Sequence, residues 1–324
     1  MRNTFFGGMT MSVFACGAAP AVFCLVALGA ACVGGAESQL QINTGAEAIT
    51  VKDGERLVLE YCFDQVPFKP YARQVLSPNG VNVARDQVAD HKHHHGLMFA
   101  IGAEGTTFWE EKPKDGKELH KSFSDVKTVA KDGLAVATFT EQLDWIGPEA
   151  KAVLQEVRRV DAYRGADLAA SLLTWRTALA AAEGRPEVKL TGANYYGLGI
   201  RFLASMDKIG EFFAAAGQAN GEAVRAEERL TGPAWCAYAA EADGKPVTVA
   251  MFDHPQNARK VSWFTMSTPF AYLSATLALH KEPLAVKAGQ PLALCYGVAV
   301  WDGKVKAEEI EKLYHRWLEL EKAK

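Results

Sequence analysis

The first 36 residues of this 324-residue chain almost entirely lack charge, since Arg2 is the only charged residue before Glu37. A basic start, an apolar stretch that includes AVFCLVALGAACVGGA and a small-residue exit predict a secretory signal peptide over residues 1–36. Two alternatives stay open, lipidation at Cys32 and an uncleaved anchor, although Leu28 stands one position too early for a good lipobox. We therefore predict an exported protein, periplasmic or extracellular.

Long apolar runs are missing after this leader, because no later segment approaches the ~20 apolar residues that span a bilayer. The formal net charge is only -3 and no basic stripe is present, so nothing in the sequence points to a nucleic-acid partner. Internal repeats, low-complexity tracts and linkers are missing too. We predict no membrane span after the leader and a single domain over residues 40–324. The sequence does not predict an oligomeric state.

Cysteine is scarce once the leader is set aside. Cys62, Cys236 and Cys295 remain of the six in the whole chain. Three thiols cannot all pair, which excludes a disulfide scaffold and allows at most one disulfide, whose pairing stays open. Cys295 lies within LALCYGVAVW and is predicted to be a buried small hydrophobe.

Segments of β character dominate the remaining chain. RLVLEYC, LAVATFTEQLDW, PVTVAMF and LALCYGVAVW are separated by turn signals such as SPNG, KDG and ADGKP. Alternation with long helices is missing, so the pattern predicts an all-β, antiparallel β-sandwich or barrel. The segment 209–228 is ambiguous.

One helix is predicted, at the C-terminus. In VKAEEIEKLYHRWLELEKAK the apolar positions have helical spacing, and His315 faces away from their stripe. These apolar positions are Ile310, Leu313, Tyr314, Trp317 and Leu318.

The segment DHKHHHGLMF contains four of the eight histidines. On an extended strand His91, His93 and His95 share one face and His94 points away, a set able to bind zinc or copper. The spacing differs from His-Glu-x-x-His, and Gly96 suggests a turn that would break the alternation. A metal site, acid–base groups and a polar loop all remain open.

Three further segments hold polar residues in apolar or glycine-rich surroundings. FWEEK has carboxylates beside an aromatic pair, GANYYGLGIRF combines tyrosine faces with amide and guanidinium donors, and FDHPQN precedes an aromatic-rich run. Acid–base or sugar-binding roles compete here with surface charge, sheet packing and a capped turn. The candidate residues are Glu110, Glu111, Asn194, Tyr196, Arg201, His254 and Asn257.

Together, DHKHHHGLMFAIG…FWEE, ANYYGLGIRF and MFDHPQN…WFTMSTPFAYLSATLAL resemble the bacterial PmoA-like family, also called methane oxygenase PmoA. The resemblance covers nearly the whole chain after the leader. The family's histidine motif reads roughly Asp-His-x-His-His-Arg-Gly-Leu. The matching positions are Asp90, His91, His93, His94, Gly96 and Leu97. His95 replaces the usual arginine, which removes a permanent cation and makes His95 the weakest candidate metal ligand.

The resemblance implies a fold rather than the activity in the family's name. Methane oxidation has little physical support in an all-β chain without a membrane span. Members are similar to the galactose-mutarotase-like supersandwich, whose proteins commonly handle sugars on a concave sheet face. In mutarotases a histidine acts as acid and a glutamate as base, but that pair does not align here residue by residue. Fold alone does not establish function.

The leading prediction is an exported carbohydrate-active enzyme that uses histidine and carboxylate acid–base chemistry and needs no cofactor. His93 or His94 would transfer protons, with Glu110 or Glu111 as the complementary carboxylate. The predicted substrate-binding residues are His91, Asn194, Tyr196, Arg201, His254 and Asn257. One alternative is a copper or zinc site on His91, His93 and His254. Another is a non-catalytic carbohydrate-binding envelope protein. The expected partner is a carbohydrate or another small molecule.

Overall fold

The computed structural model describes residues 40–66, 68–89, 91–215, 217–218 and 221–322. The predicted signal peptide with Cys32, and Asp90 of the histidine segment, lie outside the described residues. All the described residues belong to one compact unit. Within them, we find no helix with the length and apolar character that crossing a membrane requires.

Strands make up most of the described chain. In the first half they are β1 Leu40–Thr44, β2 Ala48–Asp53, β3 Arg56–Cys62, β4 Tyr71–Val75, β5 Asp86–Val88, β6 His91–His95, β7 Leu97–Ala100, β8 Gly102–Ala103, β9 Thr106–Thr107, β10 Lys117–Lys131, β11 Leu134–Ile146, β12 Ala152–Arg164 and β13 Ala170–Ala181. In the second half they are β14 Glu187–Thr191, β15 Gly197–Arg201, β16 Glu211–Ala214, β17 Gly217–Gln218, β18 Glu222–Ala223, β19 Arg229–Thr231, β20 Trp235–Ala242, β21 Lys245–Asp253, β22 Ser262–Met266, β23 Tyr272–Thr276, β24 Leu284–Lys287 and β25 Leu292–Asp302. A 3-10 turn spans Ala204–Met206, and helix α1 spans Ala307–Lys322.

Two large sheets carry the architecture of the described chain. The ten-stranded sheet has the order β1-β2-β3-β4-β7-β15-β23-β22-β19-β18, and the nine-stranded sheet β10-β11-β12-β13-β25-β21-β20-β16-β17. Smaller sheets contain β24-β14-β8-β9 and the pair β5-β6. The paired strands run antiparallel. The predicted all-β, antiparallel β-sandwich is confirmed.

The main core lies between the two large sheets. Tyr61 of the ten-stranded sheet packs on Phe139 and Trp175 of the other sheet, with ring centroids 4.9 and 5.9 Å apart. Because successive side chains of a strand alternate in direction, Trp263 and Leu273 join this core while their neighbours Phe264 and Tyr272 point to the opposite face. Segments such as WFTM and FAYL are continuously apolar because both faces of the sheet are covered.

The predicted C-terminal helix is confirmed. In α1 the side chains of Ile310, Leu313, Tyr314 and Trp317 are buried against the outer face of the nine-stranded sheet, where Nε1 of Trp317 donates a hydrogen bond to Thr174. His315 is exposed, as its position off the apolar stripe predicts.

Two of the three cysteines outside the leader, Cys62 and Cys236, are buried free thiols. Burial raises the pKa of both, to about 11 for Cys62, so each thiol stays protonated at neutral pH. Sγ of Cys295 lies 3.7 Å from Oε2 of Glu321. Cys62 and Cys236 act as small core side chains, whereas Cys295, predicted to be buried, is only partly buried.

Candidate functional site

A cavity of about 300 Å³ opens on the face of the ten-stranded sheet that points away from the second sheet. Its walls come from β6, from the ends of β22 and β23, and from the segments that lead into β10, β15 and β19. The lining residues are His91, His93, His94, Trp109, Glu110, Tyr195, Arg225, Glu228, Phe264, Met266, Pro269, Phe270 and Tyr272. The cavity therefore combines aromatic walls with imidazoles and carboxylates, as small-molecule sites commonly do.

Three imidazoles form one wall of the cavity. The ring centroids of His91, His93 and His94 are separated by 5.8 Å (His91–His93), 4.8 Å (His91–His94) and 4.6 Å (His93–His94). His94 is almost fully buried and stacks on Tyr272, with ring centroids 5.5 Å apart. Strand alternation predicted a 91/93/95 face, and the structure instead gathers the 91/93/94 set to which the motif resemblance pointed.

His95 points away from this wall into a network of charges. Its Nδ1 is 2.8 Å from Oδ1 of Asp86 and its Nε2 is 2.9 Å from Oε1 of Glu111. The ring stacks on Tyr71, whose hydroxyl donates to Asp86. The regular alternation is interrupted within β6, whose pairing with β5 shifts register between Asp86 and Val88. Gly96, at φ +23°, turns the chain directly after His95.

The two carboxylates beside His95 shift the pKa of its ring. Burial alone would lower the pKa of His95, but the hydrogen bonds to Asp86 and Glu111 raise it above its ordinary value. The permanent cation of arginine is thus replaced by an imidazole whose protonated form is favoured by two carboxylates, so the charge at this position depends on pH.

This arrangement predicts a pH-dependent contribution to stability. A cation whose folded pKa is raised stabilises the fold fully below its unfolded pKa of about 6.5, and the contribution disappears as pH rises through the folded value. We expect the free energy of unfolding of the wild type to fall relative to that of His95→Gln over that window, by at most ~1.4 kcal/mol per pH unit. Urea denaturation of both proteins across pH 6 to 10 measures this difference in the free energy of unfolding. The exposed His315→Gln is the control, and wild-type and His95→Gln curves that stay parallel would contradict the prediction.

The cavity histidines behave in the opposite way. Burial lowers the pKa of His94 to about 2, helped by the other imidazoles and Arg201, so this ring is neutral. Burial also lowers the pKa of His93, although the Glu110 carboxylate opposes this. At neutral pH His93 and His94 are therefore uncharged, and His93 shares the cavity with Glu110, a combination suited to proton transfer.

The two predicted catalytic carboxylates occupy different positions. Glu110 lines the cavity, and its Oε2 is 3.2 Å from Nζ of Lys112. Glu111 points into the His95 network and accepts a hydrogen bond from the buried Nζ of Lys69 at 2.6 Å. Burial would raise the pKa of Glu111, but His95 and Lys69 hold it below its ordinary value. Only Glu110 is placed to meet a ligand in the cavity.

Hydrogen bonds from two side chains to backbone groups fix the bend that presents Trp109 and Glu110. Oγ1 of Thr107 accepts hydrogen bonds from the backbone N–H groups of Trp109 and Glu110, at 3.2 and 3.4 Å. Nζ of Lys69 donates to the carbonyl of Trp109 at 3.1 Å. The charge network beneath the site thus fixes the segment that forms its floor.

Three predicted binding residues lie beside the cavity rather than in its wall. Tyr196 stacks on Trp109 at 5.1 Å, and its hydroxyl lies 3.0 Å from Oγ1 of Thr107. The guanidinium of Arg201 lies over the ring of Phe270 at 3.5 Å. Asn194, in the same turn as Tyr196, is half-buried and is not among the lining residues. Tyr196 and Arg201 therefore support the lining aromatic residues from behind.

His254 and Asn257 belong to another part of the fold. His254 packs against Trp317 of α1 at 5.7 Å. The Asn257 amide bonds the carboxylate of Asp253 and both backbone groups of Cys295. The competing interpretation of this segment as a capped turn agrees with the hydrogen bonds of Asn257, and neither residue lines the cavity.

The metal alternative required His91, His93 and His254 to converge. His254 lies beside α1, whereas the other two line the cavity. Across the part of the chain that the structure describes, no group of three or more histidine, cysteine, aspartate or glutamate side chains is arranged to hold a metal ion.

Several lining residues escaped the sequence reasoning. Trp109 and Tyr195 are the immediate neighbours of predicted residues, and Phe264, Phe270 and Tyr272 lie in the aromatic-rich run after FDHPQN. Period-two alternation in that run could have identified them, since it places Phe264 and Tyr272 on the same face of the sheet. Arg225 and Glu228 come from the ambiguous segment, which contains the short strands β16, β17 and β18.

A profile of a family of unknown function, DUF6807, matches residues 48–315. The chain belongs to this family. The comparisons do not give the PmoA name that the motif resemblance suggested. No curated protein matches the sequence. The DUF6807 match spans the histidine segment, Trp109, Tyr195 and the aromatic run, and so contains the whole cavity lining.

Solved structures with similar backbones include two galactosidases and one epimerase. The α-galactosidase AgaA of Geobacillus stearothermophilus is 11% identical over 82% of this chain and 41% of its own, with a TM-score of 0.46. The galactosidase domain of the α-galactosidase-sucrose kinase AgaSK is 10% identical over 82% and 42%, with a TM-score of 0.49. A Klebsiella pneumoniae protein described as an aldose 1-epimerase is 9% identical over 86% and 87%, with a TM-score of 0.42. This DUF6807 chain thus spans about two fifths of the galactosidases' length.

Proposed function

We propose that this DUF6807 protein is an exported enzyme that performs acid–base chemistry on a sugar in the histidine-walled cavity. One observation carries the proposal: three imidazoles and the Glu110 carboxylate line a single aromatic cavity of about 300 Å³. Aromatic faces suit the C–H faces of a sugar ring, and imidazole and carboxylate groups suit its hydroxyls. Export rests on the predicted leader.

His93 is assigned the role of general base. Burial lowers its pKa, so the ring is neutral at neutral pH and can accept a proton from the substrate. Glu110, on the same cavity, is the second proton-transfer group. His94 is too deeply buried to take a proton at neutral pH and is assigned a binding role. Proton transfer to and from a sugar is the step shared by epimerases, lyases and glycoside hydrolases.

The test is turnover of aldoses, uronides and aryl glycosides by the wild type, followed by polarimetry and product release. We expect His93→Ala to lower kcat by about a hundredfold, because general acid–base catalysis typically contributes at least that much. His315→Ala, on the exposed face of α1, is the matched control and should keep full activity. Thermal unfolding of each variant separates a lost catalytic group from a lost fold.

Two outcomes decide against the proposal. Equal turnover by the wild type and His93→Ala would remove His93 from the chemistry. Saturable sugar binding by the wild type without any turnover would make the protein a non-catalytic binding module, which was the third prediction from the sequence.

A further inference from the structure

Three buried side-chain atoms of cavity-lining residues have no hydrogen-bond partner among the described residues: Nε1 of Trp109, Nδ1 of His94 and the hydroxyl of Tyr272. The first two are ring nitrogens. Trp109 is 0% exposed and His94 is 6% exposed, and both residues line the cavity. A buried polar group that stays unpaired costs about 1–3 kcal/mol, so native proteins rarely keep two of them together without a role.

The two rings are held in one cluster. The ring centroids of Trp109 and His94 are 6.5 Å apart. Both rings pack on Tyr272, whose centroid is 6.0 Å from that of Trp109 and 5.5 Å from that of His94. The backbone on each side of Trp109 is fixed by Thr107 and Lys69. Both rings therefore occupy set positions in the wall of the cavity.

The chemistry of the two atoms limits what satisfies them. An indole N–H only donates, so Trp109 needs an acceptor oxygen. A neutral imidazole nitrogen donates or accepts according to its tautomer, so His94 needs either partner. A hydroxyl group serves both needs because it donates and accepts. A carboxylate or phosphate oxygen without a proton only accepts.

The charges around the cavity also disfavour an anion. Glu110 and Glu228 both line it, and the cations beside them are already paired, Lys112 with Glu110 at 3.2 Å and Arg225 with Glu228 at 2.6 Å. The buried Arg201 behind Phe270 faces Oδ2 of Asp207 at 3.7 Å. An anionic ligand would meet two carboxylates without an unpaired cation lining the cavity to offset them.

We propose that Nε1 of Trp109 and Nδ1 of His94 bind hydroxyl groups of an uncharged sugar ring, and that the cavity rejects sugar acids and sugar phosphates. This inference rests on the proposed sugar site and adds its recognition pair and its substrate class. Trp109 and His94 are then substrate-binding residues, separate from the proton transfer assigned to His93.

The first measurement uses the wild-type protein and needs no variant to fold. Indole N–H resonances of ¹⁵N-tryptophan-labelled protein are followed during titration with D-galactose, D-glucose and D-xylose. We expect the Trp109 resonance to shift saturably with at least one of these neutral sugars. A Trp109 resonance that none of them moves would mean that a trapped water, and not a sugar, satisfies the indole, and would overturn the proposal.

The second measurement is calorimetric affinity for the sugar that binds best. Trp109→Phe keeps the aromatic ring and removes the donor, and should weaken binding about tenfold. His94→Phe should weaken it by a similar factor. Trp235→Phe removes a different indole donor, one bonded to Glu311 in the α1 region, and should leave affinity unchanged. Unchanged affinity in a folded Trp109→Phe protein would reject the recognition pair.

The third measurement compares D-galactose with D-galacturonate and D-galactose 6-phosphate, and the charged sugars should bind at least about tenfold more weakly. Equal or tighter binding of a charged sugar would overturn the assigned class.

His93→Ala separates this inference from the proposed function. If it binds sugar normally and the wild type turns nothing over, recognition stands and the catalytic proposal fails. If the wild type turns sugar over but Trp109→Phe binds sugar normally, the catalytic proposal stands and the recognition pair is rejected.

Discussion

Replacing Arg158 with methionine is expected to lower the free energy of unfolding by about 3–5 kcal/mol, because removing one partner of a buried ion pair leaves the others uncompensated. The guanidinium is fully buried between the two large sheets. It donates to Glu156, to Glu118, to the Tyr61 hydroxyl and to the carbonyl of Pro70. The Glu156 side chain would lose its guanidinium partner in an apolar core, with only Trp145 and Thr177 left as donors.

The neighbouring arginine on the same strand provides the control. Arg159 is partly exposed, and its partner Asp161 also binds Arg176 at 2.6 Å. We expect Arg159→Met to cost less than about 1 kcal/mol, as partly exposed pairs usually do. Urea denaturation monitored by far-UV circular dichroism measures both variants. Equal losses in Arg158→Met and Arg159→Met would contradict the view that burial of the charge decides the effect.

The same network contains a carboxyl group that behaves differently. Burial raises the pKa of Glu118 to about 8 despite the opposing charge of Arg158, and its Oε1 has no hydrogen-bond partner among the described residues. A carboxyl protonated more readily in the folded than in the unfolded state stabilises the fold at acidic pH and loses that contribution as pH rises from about 4.5 towards 8. Glu118 therefore adds little negative charge around Arg158 at neutral pH.

Much of the fold follows from local sequence physics. RLVLEYC is β3 and LAVATFTEQLDW falls within β11, because alternating β-branched and apolar residues suit a strand covered on one face. The helical spacing of apolar residues near the C-terminus predicted helix α1. The ambiguous segment resolved into short strands, whose identity depends on pairing with β20 and β19, and such non-local pairing is not encoded in a local period.

The site was only partly predictable, for a related reason. His91, His93, His94 and Glu110, which line the cavity, were predicted from local features, a histidine cluster and a carboxylate beside an aromatic pair. Asn257 was misassigned because its hydrogen bonds to Asp253 and Cys295 join distant segments. Trp109 was passed over in favour of its charged neighbours, since composition does not reveal which buried donors lack a partner.

Gly96→Ala is expected to cost about 3 kcal/mol or more, because the added methyl group would enter the backbone of a neighbouring strand. A Cβ at this position would lie 2.1 Å from the carbonyl oxygen of Ala72 in β4, an atom that cannot swing aside. The φ of +23° adds strain for any residue with a side chain. Gly96 also bonds Arg85 and Arg201 through its backbone, so the strand cannot simply move away.

The consequence for the site distinguishes this glycine from a general core position. Gly96 makes the turn directly after the strand that presents His94 to the cavity and His95 to the carboxylates of Asp86 and Glu111. Any Gly96→Ala protein that still folds should therefore bind neutral sugars more weakly and lose the pH dependence assigned to His95. Gly232→Ala is the control, because a Cβ there meets nothing within 4 Å and needs no unusual φ. Normal sugar affinity in Gly96→Ala would show that the histidine wall forms without this turn.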